Sequence, residues 1–261
     1  MNKNPKLNWS RDELIVAFNL YCKTPFTKIN SSNETIQELS KVVGRSASSV
    51  ALKLANFARL DPDLQKRNIS GMRHGSKGEI EIWSEFSKNW EELAYQSELI
   101  LAKYRNNSVE NSIQMFLGDL PKDGIERETI IKTRVNQAFF RKTILASYNN
   151  RCCITGLPIP ELLIASHIIP WAIDRKNRMN PCNGLCLNAF HDKAFDTGFI
   201  SISADYTIIL SRQLRKLKDQ NILNNFFLCF EGKQIILPQK FFPDKTFLEY
   251  HNKNIFIDSR N

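Results

Sequence analysis

No stretch of the sequence approaches the ~20 consecutive apolar residues needed to cross a bilayer, which excludes a membrane-spanning helix. Nor does a charged start lead into an apolar core, so a secretory signal is not expected. The six cysteines form no Cys-x-x-Cys pair, so the closely spaced ligands of a zinc knuckle are missing. Reduced thiols in a cytoplasmic protein are the expectation. There is no basic tail either: the net charge of +9, with a pI near 9.3, is spread along the chain. An anionic partner touched along several surfaces fits this better than a disordered arm. Histidine is scarce, with four in the chain, so two of them in one short stretch carry information.

A chain of 261 residues is too long for one small unit and suggests two domains, and 42% hydrophobic residues can build real cores. The expected class is α+β, with a mainly helical N-terminal domain over 1–105, a linker over 106–128 and a second domain over 129–261 whose core is 151–201. Ser10-Arg-Asp-Glu13 fits a capping box, with Trp9 as its staple, and opens an amphipathic helix. Residues 35–60 read as helix, tight turn, helix. Thr35-Ile-Gln-Glu38 fits a second capping box, Gly44 ends the first helix, and the next begins near Ser46. Val50, Leu54 and Phe57 then face inward, leaving Ser49 and Lys53 on other sides, with Arg45 beside them. Such an arrangement suits a DNA-reading helix-turn-helix, and an ordinary helical hairpin would show the same pattern.

Residues 61–78 read as a polar, basic loop in which His74 has no companion ligand. One long helix is predicted over 79–105. Gly118, Pro121, Asp123 and Gly124 punctuate the linker, and 129–148 is helical with Arg141 outward.

The unusual chemistry lies between Cys152 and Ser201. An apolar run from Leu162 to Ala165 ends in Ser166 and His167 and is closed by Pro170, as a strand entering a loop would be. Asn183-Gly184 follows, then a second short strand. Residues 187–195 form a helix candidate that carries His191 and stops at Asp196-Thr-Gly198. A short hairpin over 199–209, a helix start at Arg212 and a strand at 235–238 come after, and His251 reads as structural.

The order His167, Asn183, His191, with SHIIPW, NGLCL and HDKAFD around them, resembles the HNH nuclease family and its ββα-metal unit. The resemblance covers about fifty residues and implies hydrolysis of phosphodiester bonds in double-stranded DNA. Hydrolysis needs a base for water and positive charge on the phosphorane and the leaving oxygen. A histidine of near-neutral pKa and one divalent ion suit those needs. The resemblance makes His167 the general base and Asn183 the residue that orients the loop. It places the ion on the helix, through His191 or through Asp192 with Asp196; Ser166 stands where relatives carry Asp or His. One divalent ion per site is implied, magnesium or manganese before zinc or nickel, and no organic cofactor. Arg178, in the loop, and Arg141 join Arg45, Ser49 and Lys53 as candidate DNA contacts. The expected protein is a restriction-type endonuclease, modification-dependent or not, acting as a homodimer. A DNA-binding regulator with a degenerate nuclease fold and a nonspecific nuclease toxin are the alternatives.

Overall fold

The computed structural model describes residues 8–68, 75–112, 124–217 and 220–259. His74 and positions 113–123 of the expected linker lie outside the described residues. The chain divides into two compact units, Met1–Thr143 and Ile144–Asn261. That division falls inside a helix, later than the Gly and Pro of 106–128 suggest. Phe139, for example, lies 5.5 Å beneath the Lys23 ammonium of the first unit.

The first unit is built around α1 (Arg11–Lys23), whose Ile15, Phe18 and Tyr21 are almost wholly buried. Its capping box forms: Glu13 N donates to Ser10 Oγ (3.2 Å) and Ser10 N to Glu13 Oε2 (2.7 Å). Phe18 stacks on Phe57 (4.9 Å) and leans on Trp83 (5.1 Å), so α3 (Ala47–Ala58) and α5 (Lys77–Phe86) close over α1. Between them, α2 (Glu34–Val43) starts two residues earlier than the capping-box reading places it. Its cap is Asn33, whose Oδ1 accepts from Thr35 N (3.0 Å) and Ile36 N (3.4 Å); Thr35 only donates its hydroxyl to Asn33. Asn33→Ala should therefore lower stability by about 1 kcal/mol in urea unfolding, and Thr35→Ala by less. Gly44 takes the left-handed conformation (φ 68°) that turns α2 into α3.

After the short α4 (Pro62–Lys66), the predicted single helix over 79–105 is two, α5 and α6 (Trp90–Tyr104). Ser87 and Asn89 favour turns over helix, and Asn89 N bonds Phe86 O (2.9 Å). The break lets Phe86 and Trp90 both reach the core. α7 (Val109–Ser112) and α8 (Ile125–Ser147) follow.

Two candidate DNA contacts are internal here, which corrects the expectation of exposed cations. Arg45 donates Nε (3.0 Å) and Nη2 (2.8 Å) to Glu13 and stacks on Trp9 at 4.5 Å. Lys53 is paired with Glu79, a fully buried carboxylate that also accepts from Asn56 Nδ2 (3.0 Å) and Ser76 N (3.0 Å). A buried carboxylate is tolerated only with such partners, so these residues hold helices together. Trp9 is accordingly a platform for cations rather than a simple staple. Ser49 remains half-buried near the start of α3.

In the second unit, β1 (Leu163–His167) pairs antiparallel with β2 (Gly184–Asn188), with Ser166 opposite Leu185 and His167 opposite Gly184. α9 (Ala189–Asp196) packs on both strands, giving ββα. A second hairpin joins β3 (Ile200–Ile202) and β4 (Ile208–Leu210). α10 (Arg212–Arg215), α11 (Gln220–Phe226) and α12 (Lys245–Asn254) complete the unit. The strand expected at 235–238 is instead irregular chain, bonded through Ile235 N to Tyr206 O (2.9 Å) and Ile236 N to Cys153 O (2.7 Å), and Pro238 has no amide to extend a ladder. Gly198 ends α9 at φ 78°, and a Cβ there would lie 2.2 Å from Ile255 O, so no other residue fits. His251 is structural, as expected. It is buried, stacked on Phe195 (3.7 Å) and bonded to Ser201 Oγ (2.7 Å).

Candidate active site

The loop between β1 and β2 is held by one side chain. Asn183, fully buried, accepts from Ile169 N (2.8 Å) and donates Nδ2 to Ile169 O and to Asn177 O (both 3.2 Å). It thus ties both arms of the loop to the start of β2. Within the loop, Asp174 accepts from Lys176 N (3.0 Å), Asn177 N (3.1 Å) and Asn177 Nδ2 (2.7 Å), making a tight turn. Arg178 donates Nε to Trp171 O (2.9 Å) and lies over the Trp171 ring at 5.0 Å.

This framework fixes His167. Its Nε2 lies 2.9 Å from the Arg178 carbonyl, an acceptor only, so the proton is on Nε2 and the basic nitrogen is Nδ1. Trp171 meets the ring edge-on at 5.5 Å. Burial pushes the imidazole pKa down, against the Arg178 carbonyl, which favours the charged form. At neutral pH the ring is therefore an unprotonated base.

On the other side of β1, Ser166 faces α9. Its hydroxyl is buried and without a well-aligned hydrogen bond to any described residue, yet close enough to Asp192 to favour that carboxylate's charged form. Burial nonetheless raises the Asp192 pKa. One helical turn on, Asp196 is pushed up to about 6, by desolvation first and then by the Asp192 charge. Two neighbouring carboxylates with raised pKa values, offset only in part by the Lys193 charge, beside an orphaned hydroxyl are an oxygen donor set. That set fits a hard divalent cation such as magnesium or manganese. Among the described residues, no three His, Cys, Asp or Glu side chains converge as a metal cluster.

His191, which the resemblance offered as a ligand alongside Asp192 with Asp196, is held apart from this set. It is 1% exposed, with Nδ1 bonded to Asn188 Nδ2 (2.9 Å) and Nε2 to Phe226 O (2.6 Å), and Phe227 (5.4 Å) and Phe230 (5.9 Å) meet its ring edge-on. Nδ1 is engaged at the end of β2 and Nε2 by the Phe226 carbonyl, so the ring anchors α9. His191→Ala should cost about 2–3 kcal/mol in urea unfolding through lost packing and unmet partners. Divalent-ion affinity of the folded variant, by calorimetry, should not change.

Sequence reasoning missed Asn188 and Cys152. Asn188 caps α9 through His191 N (2.9 Å) and donates its own amide to the Cys152 sulfur (3.3 Å). Asn188 lies inside the helix expected over 187–195, whereas α9 starts at Ala189; reading the Asn as a cap would have set that start. Burial raises the Cys152 thiol, but hydrogen bonds with His191 and Thr155 outweigh it and bring the pKa to about 7. Trp171, the platform for Arg178, carried no signal beyond its place next to Pro170. Arg141 is exposed on α8.

Residues 152–203 match the family model HNH_2, described as HNH endonuclease. No curated protein matches the chain. Residues 152–203, which hold β1, its loop, β2 and α9, thus form a domain of the HNH endonuclease family.

Proposed function

We propose that the protein is a divalent-metal-dependent DNA endonuclease of restriction type. The observation that carries this reading is the ββα unit that sets a neutral, tautomer-fixed His167 next to Ser166, with Asp192 presented to Ser166 by α9 and Asp196 beside Asp192. Ser166, Asp192 and Asp196 would hold the ion, which when bound offsets charge on the phosphorane and the leaving oxygen. His167 takes the proton of the attacking water on Nδ1 and passes none to the protein interior, because Nε2–H stays on the Arg178 carbonyl. Asn183 keeps that carbonyl in place by fixing the loop. Arg178 uses Nε for Trp171, and its terminal nitrogens make no hydrogen bond among the described residues, which suits a phosphate contact.

The helical first unit, including α2, the Gly44 turn and α3, serves as the DNA reader in this proposal. Arg45 and Lys53 support its helices, and Ser49 and Arg141 stay as candidate contacts. Cutting both strands requires two copies, and a homodimer is the arrangement proposed.

The test is incubation with genomic DNAs of differing methylation status, with magnesium or manganese. Fragmentation that depends on the ion and differs among the DNAs supports the reading. Protein that binds DNA and cuts none of them, with either ion, would be a regulator with an inactive nuclease fold.

A further inference from the structure

The first unit contains a cleft of about 420 Å³ between α1, α2, α6 and α8, within the ~300–1,000 Å³ range of small-molecule sites. Part of its wall is apolar, from Val16, Leu101 and Val135 among others. Three cationic side chains line it, Lys23, Arg105 and Lys142. Lys23 is bonded to Glu98 at 3.1 Å, while Arg105 and Lys142 have no ion-pair partner among the described residues. Burial pushes the Lys23 ammonium down, Glu98 opposes this, and the Lys142 charge adds to it.

A second, independent sign comes from α1. Asn19 lines the cleft, is 3% exposed, and its Nδ2 is buried without a hydrogen-bond partner among the described residues. A buried donor left unmet costs on the order of 1–3 kcal/mol, so its persistence calls for an acceptor. Excess positive charge and an orphaned donor ask for an anion that also accepts hydrogen bonds. The apolar wall asks for an uncharged body, and Glu38 at the edge offers an acceptor to N–H groups on it. A phosphate attached to a nucleobase-sized ring meets all of these together; a sugar phosphate has no apolar face to give the wall.

We infer that this cleft binds a mononucleotide, its phosphate held by Lys23, Arg105 and Lys142 and its base edge by Asn19 and Glu38. The inference goes beyond the nuclease reading and stands whether or not DNA is cleaved.

The test is calorimetry on the full chain in chelator-containing buffer, with the four nucleoside 5′-monophosphates, the matching nucleosides and inorganic phosphate. At least one monophosphate should bind at one per chain, with its nucleoside and inorganic phosphate each weaker by about tenfold or more. Arg105→Ala and Lys142→Ala, both at exposed positions, should each weaken that binding by about tenfold with unchanged circular-dichroism melts. Asn19→Ala should weaken the monophosphate and leave inorganic phosphate as it was. The inference is overturned if no monophosphate binds, if inorganic phosphate binds as tightly, or if both cation variants bind like the parent chain. Displacement of the monophosphate by a short single-stranded oligonucleotide would supply the same ligand from a polymer, and its absence makes the ligand a free nucleotide; either supports the site.

Discussion

His167→Ala is expected to slow DNA cleavage by about 10²–10⁴-fold while leaving DNA binding and the urea midpoint nearly unchanged. The ring is the residue of this site whose proton position the backbone dictates, through Nε2 and the Arg178 carbonyl at 2.9 Å. Removing it takes away the acceptor for the water proton and disturbs little else, because the loop is fastened by Asn183 and the Asp174 turn. Plasmid nicking in magnesium or manganese gives the rate, and gel shift in chelator gives the binding. Wild-type nicking by the alanine variant would remove His167 from the mechanism. His167→Gln should fail equally, since an amide can keep the bond to the carbonyl but cannot take up a proton near neutral pH.

The second large effect concerns the acidic pair. Asp192→Asn with Asp196→Asn should abolish ion-dependent cleavage and ion-dependent thermal stabilisation together. In the parent protein an ion at a hundred times its Kd should stabilise by about 2.7 kcal/mol. The pH dependence follows from the Asp196 pKa of about 6, raised from the ordinary carboxylate range. A pKa raised on folding means the folded chain holds more protons than the unfolded one, so this contribution to stability is present at low pH and is lost as pH rises toward 6. An ion binds only the deprotonated pair, so its stabilising effect should grow across the same window. Melting curves from pH 4.5 to 7.5, with and without manganese, should therefore diverge as pH rises, and the double variant should flatten both trends. A manganese-dependent shift that survives in the double variant would place the ion elsewhere.

Much of the ββα unit was legible because its apolar runs are short, bounded by Pro and Gly, and ordered as in the resembled family. That order also singles out His167 and Asn183 as candidates. The burial of His191 could not be read from it, for a geometrical reason. Successive helical residues differ by about 100°, so spacing alone leaves open whether position 191 or 192 faces the hairpin. The three aromatic rings around His191, from Phe190, Phe227 and Phe230, and the Phe226 carbonyl bury it, and all but Phe190 lie far along the chain. With His191 buried, Asp192 comes to Ser166, and Asp196 lies one turn further along α9 beside Asp192. Arg45 and Lys53 were misread for a similar reason. Their carboxylate partners Glu13 and Glu79 are 32 and 26 positions away, and a cation on a helix reads as exposed until such a partner is known. The break at Ser87–Asn89 was visible in composition but overridden by the apolar spacing on either side of it.

The clamp at Asn183 has a chemical consequence for the lifetime of the chain. An Asn followed by Gly is prone to lose ammonia when the glycine amide nitrogen attacks the side-chain carbonyl and closes a succinimide ring. Here Gly184 N donates to Pro181 O, Gly184 is extended in β2, and the Asn183 amide is bonded at both ends. Neither the attacking nitrogen nor the carbonyl carbon can approach the other while the hairpin is formed. Deamidation at this pair is thus confined to molecules that have opened. Its product would set a carboxylate against the carbonyls of Ile169 and Asn177, so a molecule damaged there could not close the loop again.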